Sequence, residues 1–446
     1  MNVLIIGAGD IGLQLGKRLS KDKHDITMIE LKEDKVKRAS EQLDAIVIEG
    51  HGAHYGVLQQ ARLENAQVVA AMTDREGVNL LASKIAKKAG VPTTIARVRN
   101  PEFIAPDFIL KPEELGADII IHPEKETADA IVRLIRQSSA THVIEFAEGK
   151  IQLLGVRLER GSPLLRTPLI DLARRYGDPP LRVVAINRNQ QTLIPKGEDR
   201  LLPGDQIFVI CDPDYIPKFI SYTGKADTKI EDIMILGGGL IGQFVATCLG
   251  KEINIKIVES NAHRSEEIAE ALPGTLVIHG DGTDIDLLAT EGIVDMDAFI
   301  AATGDDETNI IATLVARHLK IPRTIALVNK IEYLPLTPTI GMDAVVSKQL
   351  LTVNAVERFI QHQQVTTLAS VPGVDARFVE FVAEEHHKIT RKPLKNIQFP
   401  KNAIVGAVMH GDQMIIPRGD TQIAPEDKVV VLTQTEALED VEKLFQ

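Results

Sequence analysis

An internal duplication constrains this chain more than any other feature of its sequence. The segment VLIIGAGDIGLQLGKRL near the start recurs as IMILGGGLIGQFVATCL in the second half. Later landmarks keep the same spacing, since Gly7 lies 43 residues before Gly50 and Gly237 lies 43 residues before Gly280. A weaker match joins LIPKGEDRLLPGDQIFVI and IIPRGDTQIAPEDKVVVL, each with the polar turn and β-branched run of a strand–turn–strand. The chain therefore consists of a large unit and a small unit, followed by the same pair again.

Short apolar runs alternate with helical stretches in each large unit, which predicts a parallel sheet with right-handed crossovers. We therefore expect an α/β protein with two tandem Rossmann-like, doubly wound sheets, each followed by a small α+β unit. The expected segments are 1–122, 140–223, 231–348 and 365–446. The polar stretch Tyr222–Glu231 is typical of a linker between the halves.

The first strand-to-helix turn carries the dinucleotide-binding pattern G-x-G-x-x-G, formed by Gly7, Ala8, Gly9, Asp10, Ile11 and Gly12. The first glycine permits a tight turn, the second lets the backbone approach a pyrophosphate, and the third lets helix and strand pack closely. Glu30 ends the second strand and is placed to bind ribose hydroxyls, which favours NAD(H) or an adenosine nucleotide over NADP(H). The second unit repeats the pattern with Gly237, Gly238, Gly239, Leu240, Ile241, Gly242 and Glu259. The alternative is that these glycines serve only helix–strand packing.

The two large units differ where strands end. Arg97 and Arg99 follow the fifth strand of the first unit, whereas Leu327 and Asn329 occupy the matching places in the second. Only the first unit offers arginines to phosphates at that edge, so we expect it to hold a nucleotide more tightly. The alternative is that Arg97 is a solvated charge at a strand end.

Histidines mark a second difference. His51 and His54 stand where the second unit has Asp281 and Asp284, in a loop that lies near the adenine in Rossmann folds. They either contact the base or lie on the surface. A metal site is less favoured, because no carboxylate or cysteine accompanies the two histidines at ligand spacing. The pair His386–His387 lies in a polar stretch, so we expect both rings on the surface.

Composition excludes several classes of protein. The net charge is −12 and no Lys/Arg stripe is present, which argues against binding to nucleic acid. The two cysteines form no CxxC pair, which fits a reducing compartment. No apolar run is long enough to cross a membrane, and we expect no signal peptide.

The sequence motifs include no recognisable set of catalytic residues. A dehydrogenase needs a positioned acid or base beside the nicotinamide, but the small units contain no Ser/His/Asp set, no HExxH and no CxxC. We therefore expect a nucleotide sensor with no catalytic residues and no metal rather than an enzyme. The alternatives are an NAD(H)-dependent oxidoreductase and a free nucleotide sensor that acts on other proteins.

The motifs GAGDIG, EGHGAH, TDREGVN, IARVRNPEF and FAEGK, with GGGLIG, GDGTD and TGDDETN in the second half, resemble a known family. It is the family of peripheral nucleotide-binding subunits of Trk potassium-uptake systems, with tandem RCK (TrkA-N and TrkA-C) units. The resemblance covers essentially the whole chain. It implies a cytoplasmic protein on the inner face of the membrane that attaches to a potassium-conducting membrane subunit and gates it.

The resemblance also implies ligands and an assembly. NAD(H) is the implied cofactor, with ATP and ADP as further ligands, and the chain is expected to form a homo-oligomeric ring as a dimer or tetramer. The implied ligand contacts in the first half are Gly7 to Ile11, Glu30, His51, Thr73, Asp74 and Arg97. Those in the second half are Gly237 to Ile241, Glu259, Asp281 and Thr303.

Overall fold

Each half of the chain contains a parallel sheet followed by an antiparallel sheet, which confirms the predicted fold class. The computed structural model describes residues 1–225, 229–336, 340–360, 365–371 and 374–446. Residues 226–228 of the predicted linker therefore lie outside the described residues, as do short stretches of the third and fourth predicted segments. None of the helices in the described part of the chain is long and apolar enough to cross a membrane.

The chain divides into two compact units. Unit 1 comprises Met1–Thr127 and Ser347–Ile360, and unit 2 comprises Ala128–Val346 and Gln361–Gln446. A helix from the second half of the sequence therefore belongs to the same unit as the first Rossmann sheet.

The parallel sheet of unit 1 has the strand order β3-β2-β1-β4-β5-β6. Its strands are β1 (Asn2–Ile6), β2 (Asp25–Glu30), β3 (Ile46–Glu49), β4 (Val68–Ala71), β5 (Thr93–Arg97) and β6 (Ile119–Ile121). The helices of this unit are Asp10–Lys21, Glu33–Gln42, Tyr55–Gln60, Glu76–Lys88, Pro112–Leu115 and Lys348–Ile360. The strand order reverses between β1 and β4, and a doubly wound sheet binds its ligand at such a switch point.

Alternate residues of β1 enter opposite cores. Val3 and Ile5 pack with Leu15, Leu19 and the apolar side of the helix Lys348–Ile360. Leu4 and Ile6 pack with the residues of the opposite face, among them Leu58, Val69, Ala82 and Ala86. Because both faces are buried, the strand is a continuous apolar run rather than an alternating one.

We call Lys348–Ile360 the crossover helix, because it follows the second Rossmann sheet in sequence but packs in unit 1. Val353, Val356 and Ile360 supply its buried apolar positions, spaced as one face of a helix. Its fully buried Glu357 pairs with Arg18 of the helix Asp10–Lys21, at 2.9 Å.

The first small sheet lies in unit 2 and has the strand order β10-β9-β11-β8-β7. Its strands are β7 (His142–Phe146), β8 (Ile151–Arg157), β9 (Leu181–Arg188), β10 (Gln191–Leu193) and β11 (Gln206–Cys211). The pairs within it are antiparallel.

The second Rossmann sheet has the order β14-β13-β12-β15-β16-β17, which repeats that of the first. Its strands are β12 (Asp232–Leu236), β13 (Asn254–Glu259), β14 (Leu276–His279), β15 (Ala298–Ala301), β16 (Arg323–Leu327) and β17 (Ala344–Val346). The helices that follow β12 to β15 are Leu240–Leu249, Ala262–Ala271, Ile285–Thr290 and Asp306–His318.

The second small sheet has the order β18-β19-β22-β20-β21, with strands β18 (Val365–Ser370), β19 (Arg377–Val382), β20 (Ala403–His410), β21 (Gln413–Ile415) and β22 (Lys428–Thr433). The remaining helices are Pro123–Arg136, Leu169–Arg175, Ile216–Thr223 and Leu438–Glu442. The two small sheets share one apolar core, in which the Phe208 and Phe378 rings lie 5.9 Å apart.

Candidate functional site

The glycine turn of the first Rossmann sheet has the geometry that its sequence predicts. Gly7 follows β1 with a φ of +101°, a conformation that side chains with a Cβ rarely adopt. A Cβ added to Gly12 would lie 1.9 Å from the Gly7 carbonyl oxygen, so only glycine fits there. Gly9 precedes the helix that begins at Asp10 and makes no side-chain cap. The turn therefore presents the open N-terminus of a helix, which favours an anionic group.

Glu30 closes against this turn. One of its carboxylate oxygens, Oε2, accepts the N–H of Ala8 at 2.7 Å. The other, Oε1, accepts the N–H groups of Leu31 at 2.9 Å and Lys32 at 3.0 Å. The side chain is buried and fixed at the edge of the sheet, where a ribose would meet it.

A buried amide links the ends of two adjacent strands. Asn79 Oδ1 accepts both the N–H of Thr73 at 3.0 Å and its hydroxyl at 2.6 Å. Asn79 Nδ2 donates to the Arg97 carbonyl at 2.8 Å. Asn79 therefore holds two of the predicted contact residues in place, although it was not itself among the predicted contacts. The recurrence of this asparagine in TDREGVN and TGDDETN was the available signal.

Arg97 is partly buried at the last position of β5. Burial lowers its pKa, while the negative charges of Glu124 and Asp74 oppose that shift. Asp74 is exposed. The backbone N–H of Arg99 donates to Glu76 at 2.9 Å, so this segment is anchored to the start of the helix Glu76–Lys88.

His51 lies in the loop after β3, where its Nδ1 accepts the N–H of Ala53 at 3.2 Å. Its ring stacks on that of His54, with 4.5 Å between centroids. In the second unit Asp281 instead accepts the N–H of Thr283 at 2.9 Å and its hydroxyl at 2.8 Å, and these bonds lower the pKa of Asp281. Each loop is ordered by its own residues, in different ways.

The second Rossmann sheet repeats this frame. Gly237 has a φ of +105°, and a Cβ on Gly242 would lie 2.4 Å from the Gly237 carbonyl oxygen. Glu259 accepts the N–H of Gly238 at 3.0 Å, as Glu30 does in the first sheet. The N–H of Thr303, the last of the predicted contacts, donates to Asn309 Oδ1 at 2.9 Å, as Thr73 donates to Asn79 in the first sheet. The helix begins at Leu240, followed by the buried Ile241.

Two differences separate the second turn from the first. Leu327 ends β16 and is buried, so the place of Arg97 carries no charge. Arg264, on the helix after β13, donates to the Gly238 carbonyl at 3.0 Å. In the first unit the residue at the matching sequence position is Lys35, whose Nζ would lie 4.0 Å from a Cβ on Gly9. Neither basic residue was predicted, because each lies on the helix after the second strand of its sheet, beyond the G-x-G-x-x-G pattern.

Glu384, His386 and His387 form a group of potential metal ligands in the described part of the chain, with ligand atoms within 4.8 Å of one another. His386 is exposed, but the expectation that both histidines lie on the surface is wrong, because His387 is fully buried. His387 Nδ1 accepts the N–H of Glu384 at 2.8 Å. The neutral ring then carries its proton on Nε2, which leaves that atom without a lone pair for a metal.

Two glycine turns, each with an acidic strand end folded against it, define a protein with tandem Rossmann-type nucleotide-binding folds. The TrkA-N domain matches residues 3–123 and 233–348, and the TrkA-C domain matches residues 153–224 and 378–446. The chain belongs to the TrkA family, as the resemblance of its motifs predicted.

A relative and two solved structures illustrate the similarity. The Trk system potassium uptake protein TrkA homolog 1 of Methanosarcina mazei is 35% identical over 455 residues, which is 100% of each chain. The structure "GsuK channel bound to NAD" is 19% identical with a TM-score of 0.63, covering 100% of this chain and 78% of that one. The "Crystal structure of the GsuK bound to ADP" is 19% identical with a TM-score of 0.52, covering 81% and 69%. At these identities the two structures are evidence for the fold alone.

Proposed function

We propose that the protein is a nucleotide-binding regulatory subunit that gates a potassium-conducting Trk membrane subunit in response to NAD(H), ATP or ADP. Membership of the TrkA family supports the link to potassium uptake. The observation that carries the nucleotide part is the repeated glycine turn, in which Glu30 and Glu259 lie against open helix N-termini. GsuK, which shares the fold, is described bound to NAD and to ADP.

The proposed ligand contacts are the predicted ones. Gly7 to Gly12 would surround a pyrophosphate, with Glu30 at the ribose, His51 near the base, and Thr73, Asp74 and Arg97 at the adjoining strand ends. In the second unit, Gly237 to Gly242, Glu259, Asp281 and Thr303 would take the same roles. We also propose the domain limits 1–122, 140–223, 231–348 and 365–446, which follow the repeated order of large and small units.

The mechanism is a shift between arrangements of a ring. Copies of the chain assemble on the inner face of the membrane, and nucleotides that differ in charge favour different arrangements of the ring. The difference in affinity between the two arrangements limits how far a nucleotide can drive the pore.

A flux assay tests this function directly. The full chain would be reconstituted in liposomes with the conducting subunit, and potassium flux would be measured with ATP, ADP, NADH or no nucleotide. Flux that depends on which nucleotide is present supports the proposal. Flux that is the same in all four conditions contradicts it.

A second experiment isolates the first site. Arg97→Ala removes charge-assisted hydrogen bonds to phosphate, so ADP affinity by calorimetry is expected to fall about 10- to 100-fold. Arg160→Ala removes the same charge at an exposed position of unit 2 and is the matched control. Unchanged ADP affinity in Arg97→Ala would show that Arg97 is only a solvated strand-end charge.

A further inference from the structure

A buried carboxylate lies at the edge of the first sheet where Arg97 ends β5. Glu124 is in the first turn of the helix Pro123–Arg136, directly after β6, and is only 5% exposed. Strand β6 pairs with β5 so that Ile121 lies opposite Arg97. The topology therefore brings Glu124 to the end of the strand that carries the predicted phosphate-binding arginine.

A lysine lies beside Glu124, but in the described part of the chain hydrogen bonds satisfy only one of the two carboxylate oxygens. Its Oε1 lies 3.4 Å from Lys348 Nζ, at the start of the crossover helix. Within the described residues, its Oε2 has no hydrogen-bond donor. The nearest ring nitrogen, His122 Nδ1, is 3.7 Å away and already accepts the N–H of Lys125. A buried carboxylate oxygen without a donor is costly, and such costs are concentrated at functional sites.

The duplication within the chain supports a link between Glu124 and Arg97. In the second Rossmann sheet β16 pairs with β17 so that Val346 lies opposite Leu327. Three residues later stands Gln349, in the place of Glu124. The second unit thus lacks both charges while it keeps the glycines and Glu259. A carboxylate that served only the helix N-terminus would have no reason to be absent together with the arginine.

We propose that Glu124 is the internal counter-charge of Arg97, that it repels a nucleotide phosphate bound at Arg97, and that it thereby sets the first site's selectivity for phosphate charge. The inference rests on the proposed nucleotide binding. A phosphate that reaches Arg97 is attracted by the guanidinium and repelled by Glu124. Lys348 is the other cationic partner of this carboxylate. Because Lys348 begins the crossover helix, Glu124 would connect nucleotide binding to a segment from the second half of the sequence.

Glu124→Gln tests the proposal in the full chain, with adenosine, AMP, ADP and ATP titrated by calorimetry. Removal of the repelling charge is expected to raise ADP affinity about tenfold and ATP affinity at least as much. Adenosine affinity should not change, since adenosine carries no phosphate. Glu64→Gln makes the same charge change at an exposed position that precedes the amino end of β4, whereas Glu124 follows the carboxyl end of β6, and it should leave all four affinities unchanged.

The outcomes separate this inference from the function on which it rests. If the wild-type chain binds none of the phosphorylated ligands, the proposed function fails. If it binds ADP but Glu124→Gln binds ADP no more tightly, the role of Glu124 is refuted. An equal gain for adenosine also refutes it, because the effect would not depend on phosphate charge.

A second variant keeps the carboxylate and so covers a folding defect in Glu124→Gln. Lys348→Met removes the other cation beside Glu124, so the negative charge of Glu124 acts more strongly at Arg97. ADP affinity is therefore expected to fall about threefold, with adenosine affinity unchanged. The fall should disappear in the Lys348→Met/Glu124→Gln double variant. An unchanged ADP affinity in Lys348→Met, or a fall that persists in the double variant, counts against the proposal.

Discussion

Replacing Arg18 with methionine is expected to loosen the crossover helix from unit 1. Arg18 Nη1 lies 2.9 Å from Glu357 Oε2 and 3.1 Å from Asn354 Oδ1, both on that helix. The Glu357 side chain is 0% exposed and the Arg18 side chain 16% exposed. The variant therefore takes a cation away from a carboxylate that water cannot reach.

The magnitude follows from this burial. Loss of one partner from a buried ion pair typically destabilises a protein by about 3–5 kcal/mol. Because Arg18 is partly exposed, we expect the lower end, about 3 kcal/mol, which is a large part of a domain's usual stability of about 5–15 kcal/mol. Arg38→Met is the matched control, since Arg38 pairs with Asp10 at 3.3 Å with side chains 49% and 61% exposed. A surface pair of this kind contributes about 0–1 kcal/mol.

Hydrogen exchange measured by mass spectrometry is the suitable assay, because a chain with more than one compact unit need not unfold in a single transition. Amides of Lys348–Ile360 should exchange much faster in Arg18→Met than in the wild type or in Arg38→Met. The double variant Arg18→Met/Glu357→Leu should regain protection, since it removes both charges. If Arg18→Met and Arg38→Met protect this helix equally, the pair does not hold it and the reasoning is wrong.

Two further predictions concern pH and the glycine turn. Burial, with a smaller contribution from Arg323, lowers the pKa of His142 to about 4. The unfolded chain therefore takes up a proton near pH 6.5 that the folded chain does not, so stability falls as pH falls. Between pH 7 and 5, the loss of opening free energy for the strand His142–Phe146, measured by hydrogen exchange, should be about 1–2 kcal/mol smaller in His142→Gln than in the wild type. Gly12→Ala places a Cβ 1.9 Å from the Gly7 carbonyl oxygen and should abolish nucleotide binding at the first turn, whereas Gly56→Ala, with nothing within 4 Å, should bind normally in the same titration.

Local patterns were sufficient for the Rossmann sheets. The predicted alternation of short apolar runs with helices is present in both sheets, because each strand and helix is formed by residues that are contiguous in sequence. The order of the strands follows from the glycine turn and the handedness of the crossovers. The same logic holds in the second half, where the repeated motif is followed by the same strand order.

Long-range packing was not accessible in the same way. The crossover helix has an ordinary amphipathic pattern, which indicates a buried face but not which sheet buries it. The ion pair between its Glu357 and Arg18 joins residues that are separated by most of the sequence. His387 is a similar case, because the polar stretch around it predicts exposure, while the Phe445 ring, 6.3 Å from its own, comes from the C-terminal end.

The charges at the two turns explain how one duplicated frame can hold two different sites. In the first sheet burial lowers the pKa of Arg97 and the negative charge of Glu124 opposes that shift; under the proposal above, Glu124 also repels a phosphate that binds the guanidinium. At the second, Arg264 donates to the Gly238 carbonyl, a backbone oxygen of the turn itself. A carbonyl is a weaker partner than a carboxylate, and its loss leaves no buried charge. Under the proposal above, a phosphate at the second turn would meet no equivalent of Glu124, although the backbone frame that receives it would be the same in both.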